Sequence, residues 1–167
     1  ITGLVDAVYN RSKATIIVLD NGTTAMTGHQ EHPGTGVTAQ GEETVAVDIA
    51  GLARGIGVKD VKVLDAFRLK ELRAGVRDSL EKPELSLIVV RGACAMRIKE
   101  RSHPRQIIAE KCDNCAVCLR LGCPAIQREG ENVFIDAALC AGDICGICQQ
   151  VCPHGAIASA SGDKEAK

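Results

Sequence analysis

Cysteine is the residue type in this 167-residue chain whose number and spacing most directly indicate chemistry. Eight of the nine cysteines fall between Cys112 and Cys152, and Cys94 lies outside this stretch. The first four have the spacing C-x2-C-x2-C-x4-C-P, and the next four have C-x4-C-x2-C-x3-C-P. Disulfide frameworks are typical of short secreted chains, and nothing here resembles a signal peptide. The pattern therefore indicates metal ligands in a reducing, cytoplasmic setting.

The spacing predicts two [4Fe-4S] clusters, each with ligands from both cysteine groups. In runs of this type three closely spaced cysteines hold one cluster, and the cysteine before proline ligates the other. Cluster 1 is predicted to take Cys112, Cys115, Cys118 and Cys152. Cluster 2 is predicted to take Cys123, Cys140, Cys145 and Cys148. Backbone N–H groups near Gly122, Gly142 and Gly146 are expected to donate to sulfur.

Zinc is the alternative metal, because paired C-x2-C units also form four-cysteine zinc sites. Two cysteine triplets, each closed by Cys-Pro, favour iron–sulfur clusters over zinc. Cys94 is interpreted as a small buried thiol, since a reactive cysteine needs an exposed, electropositive setting that the sequence does not indicate.

A second candidate site is the long loop 22–41, which follows an apolar run ending in Asp20-Asn21-Gly22. The side-chain oxygen of Asn21 and the backbone carbonyl of Thr23 are ligand types that suit Mg²⁺. Asp-Asn-Gly is also an ordinary turn sequence, so these residues alone leave both interpretations open. His29 and His32 could transfer protons or lie in solvent, and His103 and His154 are expected to be structural or exposed.

The elements that must position these residues alternate along the first hundred residues. Helical patterns at 4–10, 42–55 and 69–80 alternate with apolar runs at 14–19, 61–64 and 85–90. Such runs predict strands covered on both faces of a parallel sheet, so the fold class is α/β, with the first strands of the sheet absent. A further strand is predicted at 106–109. Residues 97–105 form a basic linker, interpreted as a solvated connector rather than a docking patch for an acidic partner.

Composition excludes several classes of function. The formal net charge is −1, and Tyr9, Phe67 and Phe134 are the only aromatic residues, so nucleic-acid binding is not expected. The longest apolar runs are too short to span a bilayer. The first residue is Ile1 rather than Met, which indicates either a processed product or a fragment of a longer protein.

Two family resemblances follow from these motifs. Residues 103–162 resemble bacterial-type ferredoxins with two [4Fe-4S] clusters, with one inserted residue before Cys123 and two before Cys145. The sequence D-N-x-x-T-A-M-T-G-x-Q at 20–30 resembles the second half of the thiamine diphosphate motif in 2-oxoacid:ferredoxin oxidoreductases. This resemblance implies Asn21 and Thr23 as Mg²⁺ ligands. It also places three further residues near the cofactor: Thr27, Gly28 and Gln30.

The resemblance implies a partial thiamine diphosphate-binding parallel sheet with flanking helices at 1–96, a linker at 97–105 and a small α+β ferredoxin-like 2[4Fe-4S] domain at 106–160. That domain would contain two repeats, about 106–132 and 133–160. The missing half of the thiamine motif would lie upstream of Ile1, so the fragment alone is expected to be inactive.

The implied activity is oxidative decarboxylation of an aryl 2-oxoacid, such as indolepyruvate, with coenzyme A. Electrons would leave through the clusters to ferredoxin, and a smaller partner subunit is expected. The alternatives are a stand-alone electron-transfer module without thiamine chemistry and a zinc-dependent interaction protein.

Overall fold

A computed structural model describes residues 1–97 and 103–161 of the chain. The chain divides into two compact units, Ile1–Cys94 and Ala95–Lys167. Within the described ranges, no helix is both long and apolar enough to cross a membrane. The predicted linker, 97–105, lies partly outside the described residues.

The first unit is an α/β fold built on a three-stranded parallel sheet. Its elements in chain order are α1 (Thr2–Tyr9), β1 (Thr15–Asp20), α2 (Ile49–Ile56), β2 (Asp60–Asp65), α3 (Leu69–Glu81) and β3 (Ser86–Arg91). The strand order is β1-β3-β2, so β3 is the central strand and pairs in parallel with both neighbours. The α/β class with a parallel sheet, predicted from the alternating pattern, is therefore confirmed.

The core of this unit forms where α1 and α2 pack on one face of the sheet. Val89 of β3 and Ala53 of α2 belong to the same buried cluster, and Ile16 and Val18 of β1 pack against it. The helix α3 also contacts β2 and β3. These aliphatic side chains supply the hydrophobic stabilisation that a chain with few aromatic residues needs.

Two predictions for this unit are wrong. The strand β1 is not covered on both faces, because Ile17 and Leu19 are exposed, Leu19 by 77%. The helix predicted at 42–55 begins only at Ile49, where the Asp48 side chain accepts a hydrogen bond from the N–H of Ala50.

The segment before Asp48 folds back on itself instead of forming a helix. The N–H of Thr38 donates to the carbonyl of Glu42 at 2.8 Å, and the N–H of Thr44 donates to the carbonyl of Gly36 at 2.9 Å. Gly36 has a φ of 75°, which L-residues rarely adopt. The β-branched residues of this segment also favour extended backbone over helix.

The second unit contains short strands and single helical turns. Its elements are β4 (Arg105–Ile107), β5 (Ile126–Glu129), β6 (Asn132–Ile135), α4 (Ile147–Val151) and β7 (Ile157–Ser159). The strands β4 and β7 form one antiparallel pair, and β5 and β6 form another. The strand predicted at 106–109 is thus found at Arg105–Ile107, and each cysteine group follows a short strand, β4 or β6.

Candidate functional site

The first predicted set of cysteines lines one cavity. Cys112, Cys115, Cys118 and Cys152 all border it, although Cys152 is far from the other three in sequence. Apolar side chains, among them Val117, Val133 and Ile157, line it as well, and so do Asp113 and His154. The N–H of Ala156 donates to the Cys152 sulfur at 3.3 Å. The antiparallel pairing of β4 with β7 explains the closure, because it brings the chain around Cys152 back to the strand that precedes Cys112.

The thiols of this set interact electrostatically. Burial raises the pKa of the Cys118 thiol, and the neighbouring thiols of Cys152 and Cys112 raise it further. Around one cavity, these thiols would repel one another if they lost their protons. A positively charged metal centre stabilises such a group of thiolates. The donor set therefore fits a sulfur-ligated cluster.

The second set has a similar local organisation. Cys140 is buried, and its sulfur accepts hydrogen bonds from the N–H groups of Gly142 and Arg105, both at 3.4 Å. The expectation of an N–H to sulfur bond near Gly142 is thus confirmed, whereas the N–H of Gly122 donates to the carbonyl of Leu119.

Cys148 also interacts with the other cysteines of its own group. Burial, with the neighbouring thiols of Cys140 and Cys145, raises the pKa of the Cys148 thiol to about 11, and Arg105 counteracts the rise. Cys123 is half-buried, and its carbonyl accepts a hydrogen bond from Ile126. In the described part of the chain, no hydrogen bond joins Cys123 to these three cysteines. The assignment of all eight cysteines to two clusters stays a prediction.

Sequence reasoning missed two polar features beside the cysteines, a pair formed by Asp113 and His154 and the side chain of Arg105. The imidazole Nε2 of His154 lies 3.0 Å from a carboxylate oxygen of Asp113, and both side chains are exposed. Hydrogen bonds to Cys115 lower the pKa of Asp113, and His154 contributes to the shift. The sequence could have indicated this pair. Asp113 follows Cys112 and His154 follows Cys152-Pro153, and both cysteines were predicted to bind the same cluster.

Arg105 is the second group that was missed. The interpretation of this residue as part of a solvated linker is wrong, because it begins β4 and its side chain is only 11% exposed.

The Asn21 loop begins directly after β1, at the carboxyl end of the parallel sheet. The side-chain oxygen of Asn21 accepts a hydrogen bond from the N–H of Thr23 at 3.1 Å, and Asp20 accepts one from Gly22 at 3.2 Å. The carbonyl of Asn21 accepts from the N–H of Cys94 at 3.2 Å. The end of β3 therefore braces the loop, and Cys94, predicted to be buried, is half-buried beside it.

The T-G-x-Q part of the loop closes on itself. The Thr27 hydroxyl donates to the Gln30 side-chain oxygen at 2.7 Å, and the Gln30 amide donates to the Thr27 carbonyl. Gly28 has a φ of 109° and His29 a φ of 64°, so the turn needs left-handed backbone at two successive residues. All five residues that the thiamine motif predicts, Asn21, Thr23, Thr27, Gly28 and Gln30, thus lie in one short loop.

Two polar atoms of this loop are buried without partners. The Thr23 side chain is buried, with the residue 4% exposed, and neither its Oγ1 nor the Nδ1 of His29 has a hydrogen-bond partner among residues 1–97 and 103–161. Buried polar atoms without partners are costly, so they commonly mark a place where a bound group completes the site. The loop therefore fits a polar ligand such as a metal-bound diphosphate. His32 has a different role, since its Nδ1 accepts the N–H of Gly34 at 3.1 Å rather than facing solvent freely.

Comparison with known proteins places the chain in a family. Residues 1–90 match the thiamine pyrophosphate enzyme family, specifically its C-terminal TPP binding domain. This match covers more than half of the chain, which therefore belongs to that family of thiamine-dependent enzymes.

The more particular similarity is to indolepyruvate oxidoreductase subunit IorA. The chain is 40% identical to that subunit from Methanothermobacter marburgensis over 156 residues, 40% identical to the one from Pyrococcus horikoshii over 163 residues, and 37% identical to the one from Archaeoglobus fulgidus over 160 residues. Each alignment covers 92% of this chain but 25% of the relative. The chain thus spans about a quarter of the length of these relatives, and the predicted resemblance is confirmed.

Proposed function

We propose that the chain is part of a thiamine diphosphate-dependent oxidoreductase that oxidatively decarboxylates an aryl 2-oxoacid, indolepyruvate, with coenzyme A. The 2-oxoacid anion and coenzyme A give the acyl-coenzyme A, carbon dioxide, one proton and two electrons. The electrons pass through two [4Fe-4S] clusters to a ferredoxin. Membership of the thiamine pyrophosphate enzymes and the names of the relatives support the first half of this proposal.

The electron-transfer part of the proposal rests on one observation, the cavity lined by Cys112, Cys115, Cys118 and Cys152. A ligand set drawn from both repeats is the arrangement expected of two-cluster ferredoxins, in which each Cys-Pro cysteine ligates the other cluster. Zinc sites built from paired C-x2-C units do not require this exchange.

The residues of the Asn21 loop would hold the thiamine cofactor through Mg²⁺. Asn21 would offer a side-chain oxygen and Thr23 a backbone carbonyl, and the turn formed by Thr27, Gly28 and Gln30 would lie near the diphosphate. When bound, thiamine diphosphate supplies the electron sink for decarboxylation. The Asn21 loop lies at the carboxyl end of β1, where open α/β sheets bind ligands, and would orient that group there. The left-handed turn at Gly28 allows close approach of the backbone.

Metal analysis of a full-length subunit that carries this chain tests the cluster assignment. Wild-type protein is expected to hold about eight irons and eight sulfides per chain. Cys152→Ser should lose about four irons, because it removes one ligand of cluster 1. Cys94→Ser is the matched control and should retain all of them. About two zincs per chain, with iron absent, would replace the proposal with a zinc-dependent protein.

Cofactor binding by the same full-length subunit tests the thiamine assignment. Asn21→Ala should weaken Mg²⁺-dependent thiamine diphosphate binding at least tenfold, since it removes a metal ligand. Asn10→Ala, a change to an exposed asparagine beyond α1, should leave binding unchanged. An iron-loaded subunit that binds no thiamine diphosphate would contradict the decarboxylase proposal and leave an electron-transfer module.

A further inference from the structure

The side chain of Arg105 is held beside the second cysteine group. It is 11% exposed, and its Nη1 lies 3.4 Å from a carboxylate oxygen of Asp143, which is 38% exposed. The backbone N–H of Arg105 donates to the sulfur of Cys140 at 3.4 Å. The backbone of Arg105 thus bonds to one cysteine of this group, and its guanidinium lies beside the segment that carries the others.

The guanidinium also lies against the loop that carries the next two cysteines. Gly146 stands between Cys145 and Cys148 with a φ of 60°, and a Cβ atom built on it would lie 3.1 Å from the Nη2 of Arg105. A side chain at position 146 would therefore force the guanidinium to shift by a few tenths of an ångström. The glycine allows the planar guanidinium to approach the loop backbone closely.

One donor of this guanidinium is left over. The Nε of Arg105 is buried and has no hydrogen-bond partner in the part of the chain that the structure describes. An unpaired donor on a buried cation is costly, and a sulfur-rich anion beside the loop would supply its acceptor.

The first cysteine set has a different electrostatic neighbour. Asp113, an anion, stands between Cys112 and Cys115, and its pairing with His154 is exposed to solvent. In the second set the cation is buried and its counter-charge, Asp143, is the more exposed partner. Solvent screens Asp143 more strongly than Arg105, so a net positive influence remains at the second set.

We propose that Arg105 is a positioning residue for the second cysteine set, which braces the loop 145–148 and makes the cluster bound there the easier of the two to reduce. This inference rests on the proposed function, because it requires clusters at both sets. An oxidised [4Fe-4S] cluster with four thiolates carries a net charge of about −2, and one added electron makes it more negative. A buried cation favours the more negative state and therefore raises the reduction potential.

Redox titration of the full-length subunit, followed by electron paramagnetic resonance, tests the inference. Dithionite supplies the electrons, and each cluster accepts one. Arg105→Gln is expected to lower the higher of the two midpoint potentials and leave the lower one in place. We expect about a tenfold change in the reduction equilibrium, which is about 59 mV for a one-electron couple. Arg128→Gln, the same change in the exposed strand β5, should move neither potential.

Arg105→Lys provides a second variant in case Arg105→Gln loses iron. Lysine keeps the charge but cannot contact both Gly146 and Asp143 with a planar fork, so the same potential should fall by a smaller amount. Iron and sulfide are counted in every sample. Eight irons with both potentials unchanged in the Arg105 variants, or a shift in the lower potential alone, would overturn the inference. A wild-type subunit without iron would overturn the proposed function itself.

Discussion

In the unit Ile1–Cys94 a parallel sheet of six-residue strands carries the core, whereas the strands of the unit that begins at Ala95 have three or four residues. The central strand β3 has five successive buried residues from Ser86 to Val90. The second unit buries few apolar side chains, among them Ile126, Val133 and Ile157. The first unit therefore has a hydrophobic core of its own, and the second has little apolar area to offset the entropy of folding.

The distribution of the cysteines follows this difference. Small folds with limited cores depend on disulfides or metals, and in this chain eight cysteines lie in the short second unit. Cys140 is buried, Cys115 is exposed and the other six are half-buried, and burial raises the pKa of Cys118 and of Cys148. Without metal, the unit must hold desolvated thiols together, and this arrangement contributes little to the free energy of folding. Bound clusters would provide cross-links between its two repeats, and metal binding would then be coupled to folding.

Removal of iron should produce the largest difference in stability between the two units. In full-length subunit treated anaerobically with a strong iron chelator, amides of β4 and β7 are expected to exchange as in an unfolded chain, while amides of β3 stay protected. Hydrogen exchange with mass spectrometry measures both regions in one sample, and untreated protein is the control. Equal protection of β7 with and without iron would show that the second unit folds on its own apolar contacts.

Within the first unit, two isoleucines allow the contribution of a buried side chain to be compared with that of an exposed one. Ile88 of β3 is fully buried, whereas Ile17 of the edge strand β1 is exposed on one face. Ile88→Ala should lower the free energy of unfolding by about 3 kcal/mol, because it creates a cavity in the core. Ile17→Ala should cost about 1 kcal/mol or less. Urea denaturation monitored by exchange of β3 amides gives both values, and equal losses would contradict the burial seen here.

The sequence predicted those elements whose pattern is local and complete. The apolar run at 85–90 and the amphipathic pattern at 69–80 correspond to β3 and α3 within one residue at either end. The run at 14–19 correctly predicted the strand β1, but the prediction that both faces of this strand are buried is wrong. Ile17 and Leu19 are exposed here, since apolar composition alone does not reveal whether a neighbouring element covers them.

The candidate sites show the same limit. Cysteine spacing alone predicted the set Cys112, Cys115, Cys118 and Cys152, because ligand geometry restricts the spacing of metal-binding residues. Arg105 could not be assigned in that way. Its contacts with Asp143 and Gly146 depend on how β4 packs beside a loop about forty residues later, and a basic run in sequence looks like solvated surface.

The ion-pair cluster around Asp60 is a smaller test of what stabilises the first unit. Asp60 is 10% exposed, and its carboxylate lies 2.8 Å from the Nζ of Lys62 and 2.6 Å from the Nζ of Lys82. The Ser79 hydroxyl donates to it at 2.9 Å. Burial is the largest single influence and opposes ionisation, but the hydrogen bonds from the two lysines and from neighbouring serines together outweigh it and hold the pKa of Asp60 well below its ordinary value.

A carboxylate with a lowered folded-state pKa contributes stability above its unfolded pKa and loses it as the pH falls toward the folded pKa. The contribution of Asp60 should therefore be complete above about pH 4 and decline below it. Asp60→Asn should lower the free energy of unfolding by about 2 kcal/mol at pH 7, because Lys62 and Lys82 lose their buried anion and keep only the exposed carboxylate of Asp78. The difference from wild type should shrink below pH 4. Asp6→Asn, in the exposed part of α1, is the control and should show no such trend, whereas an Asp60 effect independent of pH would assign its role to packing rather than to charge.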